Sequence, residues 1–549
     1  MKKFFARNKI PLIIFYLVFL ILAVFASRTF LFYDDVMYGF PAVTKKYFDF
    51  YRFYIRDWGL FRPLALVYYF FIYEVFARLP AFAHLVPLAI LTITSYLLFK
   101  ILLLQRVGSK KALIIGLIMA TSPFSVEAFS WLSANISLVV ILIFFLQIYL
   151  VESNQFRDYL PEALLLLQLV TIFFYESTIF LTVPLSFLLF AKNREKSKLK
   201  LASFIAIPIF IYFVSKLAIE PLFEHKDKLL GLSEFISNWA SSIHHLRVLF
   251  SLRYLKNFWW PEVTNGYSQL NNYVIASVFF FFLIYFLASK LFEKKDYSPL
   301  KALTTEQVAE LEGSPGSAQI LGPSIGKSST DGRENSDRIW KINYQMKFWG
   351  LSFIFSLIPL SWQPTYQPFR TLILPFISLI IVLYFVVYEK FKNTKTAMFN
   401  STLKFACVLF IAFSIMIQVS MIDKYFKQYV VDKQIAKEID KKLEGLGFDH
   451  PNRSNLYLMG FPYNNFTKLR YGDYIYSMYH YYWSAEALLD LNSGSFANVA
   501  VEVPSDKYFT ARRMTKEEFL NLRPLTIMRY TDRQSCEKAD CLEVVEVLK

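Results

Sequence analysis

The feature that most constrains this chain is the recurrence of apolar runs long enough to cross a lipid bilayer. A hydrocarbon core needs roughly 17–25 apolar residues per helix. The first such run covers 11–27, after a basic start with Lys2, Lys3, Arg7 and Lys9. Others lie near 82–104, 112–122, 134–151, 160–175, 177–191, 199–217, 272–291, 346–361, 369–389 and 402–421. In lipid every backbone amide must be satisfied within its own segment, so such runs predict helices. The expected fold class is mostly α, a polytopic membrane protein of about eleven transmembrane helices over residues 1–421. A small extracytoplasmic α/β domain is expected over 422–549.

A cleaved signal peptide is the other reading of the first run. No clean small-x-small site follows it and many more runs come after, so it reads as a signal anchor with its N-terminus inside. Composition agrees with a membrane protein: 55% of residues are hydrophobic, and they arrive in blocks long enough to cross a hydrocarbon core, where a soluble chain of this length would usually split into several domains with polar surfaces. The net charge of +16 would suggest nucleic acid in a soluble protein. Here Lys and Arg sit between apolar runs, as cytoplasmic linkers do, and no nucleic-acid partner is expected.

The run 63–79 decides the topology. If it spanned, Arg106, Lys110, Lys111 and the basic stretch 192–200 would fall outside. Laid flat at the interface, it puts those linkers, the 292–345 loop and Lys390, Lys392, Lys395 and Lys404 on the inner side. Glu74 and Arg78 suit a flat helix as well. Segments 28–81, 122–133, 175–177, 218–271, 362–368 and the tail then lie outside. Within the cytoplasmic loop 292–345, residues 313–338 are rich in Gly, Ser and charge and are expected to be disordered.

Several polar residues stand close to span ends on the outer side. Asp34 and Asp35 follow the first span. One carboxylate can cap a helix from about 36 to 57, or serve as a base held above the membrane. Arg62 precedes Pro63, a good helix start, and can anchor the flat helix to lipid phosphate. Glu127 and Glu176 stand alone in two apolar turns, and interfacial solvation is the simple account of each. Arg62 or a metal ion is offered as the partner for Glu127. Arg370 at a span mouth can snorkel or bind a phosphate. His84, His225, His244 and His245 are scattered and read as surface or interfacial residues. Cys407 lies inside a span; Cys536 and Cys541 in the outer tail are a disulfide candidate in an oxidising compartment, with two free thiols as the alternative.

Three motifs in this order, Asp34-Asp35, Phe61-Arg62-Pro63-Leu64 and Pro123 with Glu127-Ala128, carry a resemblance. They are similar to those of multispan glycosyltransferases of the GT-C fold. The likeness is greatest to transmembrane O-mannosyltransferases with tetratricopeptide repeats and to bacterial relatives without them. Glu176 falls where that family has a Lys-Glu pair, and Arg370 with Leu374-Pro375 resembles its late Arg segment. Tyr175 stands where a Lys is usual, Phe369 where an acid is common, and no helical repeat is visible in the tail.

The resemblance implies a polyprenyl-phosphate-linked sugar as donor and an inverting transfer to an acceptor hydroxyl, with Asp34 or Asp35 as general base. Arg370, helped by Arg62, would bind the donor phosphate. Glu127 and Glu176 would orient these groups or hold a cation. No cofactor is certain, and a divalent cation (Mg or Mn) is a candidate although no dense ligand cluster appears. The acceptor is a glycan, lipid or protein, and membrane lipids are the other partners. A bacterial inner (cytoplasmic) membrane is the expected location, the endoplasmic reticulum the alternative. A flippase or transporter of lipid-linked sugars is the rival function; transporters more often show internal repeats and polar residues at mid-bilayer. In the tail, 498–503 and 525–530 read as strands, and the aromatic stretches near 471–483 as core or as sugar-stacking surface.

Overall fold

In the computed structural model, the apolar runs among the described residues are helices. Described are residues 2–26, 47, 61–76, 80–122, 124–130, 132–153, 160–192, 198–219, 330–358, 369–391, 397–448, 454–461, 477, 479, 482–493, 498–503, 508–511, 514–531 and 542–548. Asp34, Asp35, Cys536, Cys541, His225, His244, His245 and the run 272–291 lie outside them.

The helices are α1 (Lys2–Ala26), α2 (Pro63–Phe76), α3 (Leu85–Leu104), α4 (Ser109–Ala120), α5 (Ser125–Ser130), α6 (Ile136–Ser153) and α7 (Leu160–Phe174). Next come α8 (Thr182–Lys192), α9 (Lys198–Ile219), α10 (Thr330–Leu357), α11 (Ile373–Phe391) and α12 (Ala397–Gly445). Among the described residues, three segments are long and apolar enough to cross a membrane: Lys9–Ala26, Leu85–Leu104 and Ile136–Ser153. The helix α2 has 14 residues, or about 21 Å at 1.5 Å per residue, too short to cross the core upright. The C-terminal ends of α3, α6 and α8 come together through Gln105, Glu152 and Lys192, so the starts of these helices share the other end. Close approach is helped by Gly116, where a Cβ would come 2.8 Å from Phe15 Cζ and 3.1 Å from the Ser95 carbonyl.

Two expectations change. The 292–345 loop was expected to be partly disordered through 338, but α10 begins at Thr330. Its first turns carry Asp331 and Glu334, which favour a helix start. Its middle is held by Tyr344, Gln345 and Trp349, all bonded to other helices. The boundary at 421/422 also does not coincide with a break in structure. No Pro or Gly interrupts 397–444, and α12 continues for 49 residues to Gly445.

Beyond α12 lies a five-stranded sheet in the order β3-β2-β1-β4-β5. Its centre is β1 (Asn455–Met459), parallel to β2 (Val499–Val503) and to β4 (Leu525–Tyr530). The edges β3 (Tyr508–Ala511) and β5 (Leu542–Leu548) are antiparallel. A parallel pair requires a crossover, here provided by α13 (Tyr482–Ser493) between β1 and β2. The strands expected at 498–503 and 525–530 are β2 and β4. One apolar core joins Leu456, Leu458 and Val501 of the sheet to Ile435, Ile439 and Leu443 of α12. The same core takes in Leu66, Tyr69 and Tyr73 of α2. Tyr479, from the aromatic stretch, is fully buried against Phe461 in this core.

Candidate functional site

The turn between α7 and α8 brings Glu176 to Arg62. The α7 helix ends at Phe174, Tyr175 swings into an extended conformation, and a 3-10 helix Glu176–Leu181 follows. The Thr178 backbone N–H and hydroxyl both donate to the Tyr175 carbonyl, at 3.0 and 2.8 Å, which closes this turn. Glu176 therefore opens a helical segment, where a carboxylate is favoured by the backbone dipole. Arg62, just before α2, forks onto it: Nε donates to Oε2 and Nη2 to Oε1, each at 2.6 Å. The guanidinium carbon also lies 4.2 Å from the centre of the Tyr175 ring, within cation–π range. Sequence reasoning had offered Arg62 as a partner for Glu127; the partner seen is Glu176, 114 positions away.

The clasp is walled by aromatics. Phe61 packs 5.9 Å from Phe173 and 6.0 Å from Tyr212, which sits on α9 one turn before Lys216. The side chains of Arg62 and Glu176 keep 19% and 31% of their surface, so the pair is shielded without being sealed. Burial by itself would push the Glu176 carboxyl up. The charge and hydrogen bonds of Arg62, with a smaller pull from Lys216, outweigh it and hold the group below the usual carboxylate range.

A group depressed in the fold stabilises above its unfolded pKa, and that contribution is lost as pH falls through the folded value. Acidifying purified protein from about pH 5 to pH 3 should therefore lower its melting temperature. The slope should be visibly flatter in Glu176→Gln, and parallel curves would count against the clasp.

The second acidic turn is held differently. Glu127 stands in the short helix α5, between α4 and α6. This helix packs against the 3-10 turn Phe369–Leu372 that carries Arg370, and Phe124 meets Phe376 at 4.9 Å beside it. From α12, the Gln418 amide donates to the Ser122 carbonyl at 2.9 Å and to Ser125 Oγ at 3.0 Å. His84 Nδ1 lies 3.2 Å from the Phe129 carbonyl and the residue is fully buried, so of the surface and interfacial readings the exposed surface one does not hold.

Glu127 lies just before the start of α6 and Glu176 just before that of α8, so both turns fall at one end of the helices. The first packs on the turn of Arg370 and the second is joined to Arg62. Asp34, Asp35 and the candidate disulfide Cys536 and Cys541 fall outside the described residues. Among the described residues no three His, Cys, Asp or Glu side chains come together as a metal site.

The opposite end holds a polar cluster that sequence reasoning missed. Glu152, at the end of α6 with its side chain 1% exposed, pairs with Lys192 Nζ at 2.5 Å. It accepts from Gln105 Nε2 at 3.0 Å and from the Tyr344 hydroxyl at 3.4 Å. Gln105 in turn accepts from Trp349 Nε1 and, through its carbonyl, from Gln345, both at 3.0 Å. The ends of α3, α6 and α8 are tied in this way to the middle of α10. The available signal was a carboxylate and a carboxamide (Glu152, Gln105) closing two long apolar runs, where unpaired burial is costly. No known protein family, curated protein or solved structure matches the chain.

Proposed function

We propose that the chain is a membrane glycosyltransferase of the GT-C kind, moving a sugar from a polyprenyl-phosphate donor to an acceptor hydroxyl at the extracytoplasmic face. The observation that carries this reading is the Arg62–Glu176 clasp, accompanied at the same end of the helices by the packing of the Glu127 turn on the Arg370 turn. Cationic groups beside a lipid-accessible helix end suit a phosphate head whose tail lies among the helices. In this reading Glu176 orients Arg62. Arg370 meets the charge that builds on the departing phosphate, and Asp34 or Asp35 takes the acceptor proton. A Mg or Mn ion held with Glu127 is compatible with the scheme but is not required by it.

The sidedness follows the same logic. The end bearing Glu152 and Lys192 also carries Arg106, Lys110 and Lys111, with Lys111 5.5 Å from the centre of the Tyr384 ring. A basic end of this kind faces the cytoplasm. We assign about eleven spans, a flat α2, an inside N-terminus and an outside C-terminal domain. The location is a bacterial inner membrane.

The test is transfer of label by purified protein in vesicles from a panel of radiolabelled polyprenyl-phosphate sugars to added glycan, lipid and protein acceptors. Covalently bound label in an acceptor supports the reading. Label that only changes leaflet, still on its lipid, replaces it with transport.

A further inference from the structure

Turns that carry reacting groups must be held still, and a turn at the end of membrane helices has few polar neighbours to hold it. The Glu127 turn has a long-range polar fastening on α12, besides the contact of His84 with the Phe129 carbonyl. Gln418 is fully buried on α12, and its amide nitrogen makes two hydrogen bonds to the turn, 293 and 296 positions away. The amide orientation follows from the chemistry, because the Ser122 carbonyl can only accept. That carbonyl also takes the Ser125 hydroxyl at 2.6 Å and the Ser125 N–H at 3.0 Å. Ser122 Oγ receives the Phe124 N–H at 3.3 Å. Ser122, Ser125 and Gln418 therefore form one knot at the start of α5, directly before Glu127 and beside the turn of Arg370.

We propose that Gln418 is a positioning residue: it fastens the Glu127 turn against the Arg370 turn. The role in transfer rests on the reading given above, whereas the fastening itself does not depend on it. A glutamine at mid-helix in an apolar span is expensive unless its amide is used, and here both of its donors are spent on one turn. Leucine at this position would fit the bilayer and the helix but could not donate. Ionised glutamate would turn an acceptor toward the Ser122 carbonyl.

Two readouts test the proposal on the full chain. Hydrogen exchange of the 122–130 amides in Gln418→Leu should be about tenfold faster than in wild type, with Leu85–Leu104 unchanged as internal control. Transfer should show kcat reduced about 10–100-fold, with the donor KM within about twofold, because the turn is displaced and the donor still binds. Ser125→Ala, a small change that should fold even if Gln418→Leu does not, should loosen the same amides to a lesser degree. Adding it to Gln418→Leu should cost little more, as expected for one coupled unit. Unchanged exchange in both single variants overturns the fastening, whether or not wild type transfers sugar. Faster exchange with unchanged kcat overturns the positioning role. Faster exchange in a chain whose wild type transfers no sugar from any donor supports the fastening and overturns the glycosyltransferase reading.

Discussion

Replacing Asp34 and Asp35 together by Asn should reduce sugar transfer by roughly 10²–10⁴-fold, the usual loss when a positioned general base is removed. Membrane insertion and melting temperature should be unchanged. Both carboxylates follow the first apolar run in the sequence, and the proposed function puts them on the side where the Arg62–Glu176 clasp and the Arg370 turn face donor phosphate. An acceptor hydroxyl is a poor nucleophile until its proton has a destination, and Asn keeps the shape of Asp without accepting that proton. Two adjacent side chains are not both placed to take the same proton, so the two single variants should differ sharply. The one that carries the whole loss identifies the base; the other should keep most of the activity. Initial rates with a saturating labelled donor measure this directly. Wild-type rates in the double variant would remove the pair from the mechanism.

Breaking the cluster at the opposite end should produce the largest stability effect. Lys192→Met leaves the Glu152 carboxylate, with its side chain 1% exposed, facing only the neutral donors Gln105 and Tyr344. Stranding a buried charge in this way costs about 3–5 kcal/mol. The reverse change is milder: Glu152→Gln still offers an oxygen to Gln105, while Lys192, 30% exposed, can extend its ammonium toward water or lipid phosphate. That loss should be about 1 kcal/mol. The double variant, neutral on both sides, should regain much of the stability lost in Lys192→Met. Thermal unfolding in micelles distinguishes these cases, and equal losses in the two single variants would mean that the ion pair is not the fastening. Because the cluster ties three helix ends to the middle of α10, its loss should also loosen α10, readable as faster exchange near Tyr344 and Trp349.

How much could be read in advance depended on the range of the interaction. The strands β2 and β4 were legible because short β-branched runs between turn residues carry their own signal. The start of α10 at Thr330 was not, because its polar first turns resemble a loop until the partners of Tyr344 and Trp349 are known. Arg62 and Glu176 were each picked out as exceptions in an apolar neighbourhood, but their fork was not foreseen. Gln418 and Glu152 escaped notice because a single polar residue within or at the end of an apolar run looks tolerable until its partner appears.

By itself the sequence determined a largely helical chain with helices long and apolar enough to cross a membrane. Run length, backbone self-satisfaction and the placement of Lys and Arg are local properties that lipid enforces segment by segment. It also marked Arg62, Glu127, Glu176 and Arg370 as polar residues in costly positions. Only the tertiary structure decided which of them meet. A bidentate fork at 2.6 Å, or an amide shared by two serines 293 and 296 residues away, depends on how helices stack and rotate. That register is set by the packing of whole faces, such as α2 against both α12 and the sheet. No local pattern in the chain encodes it.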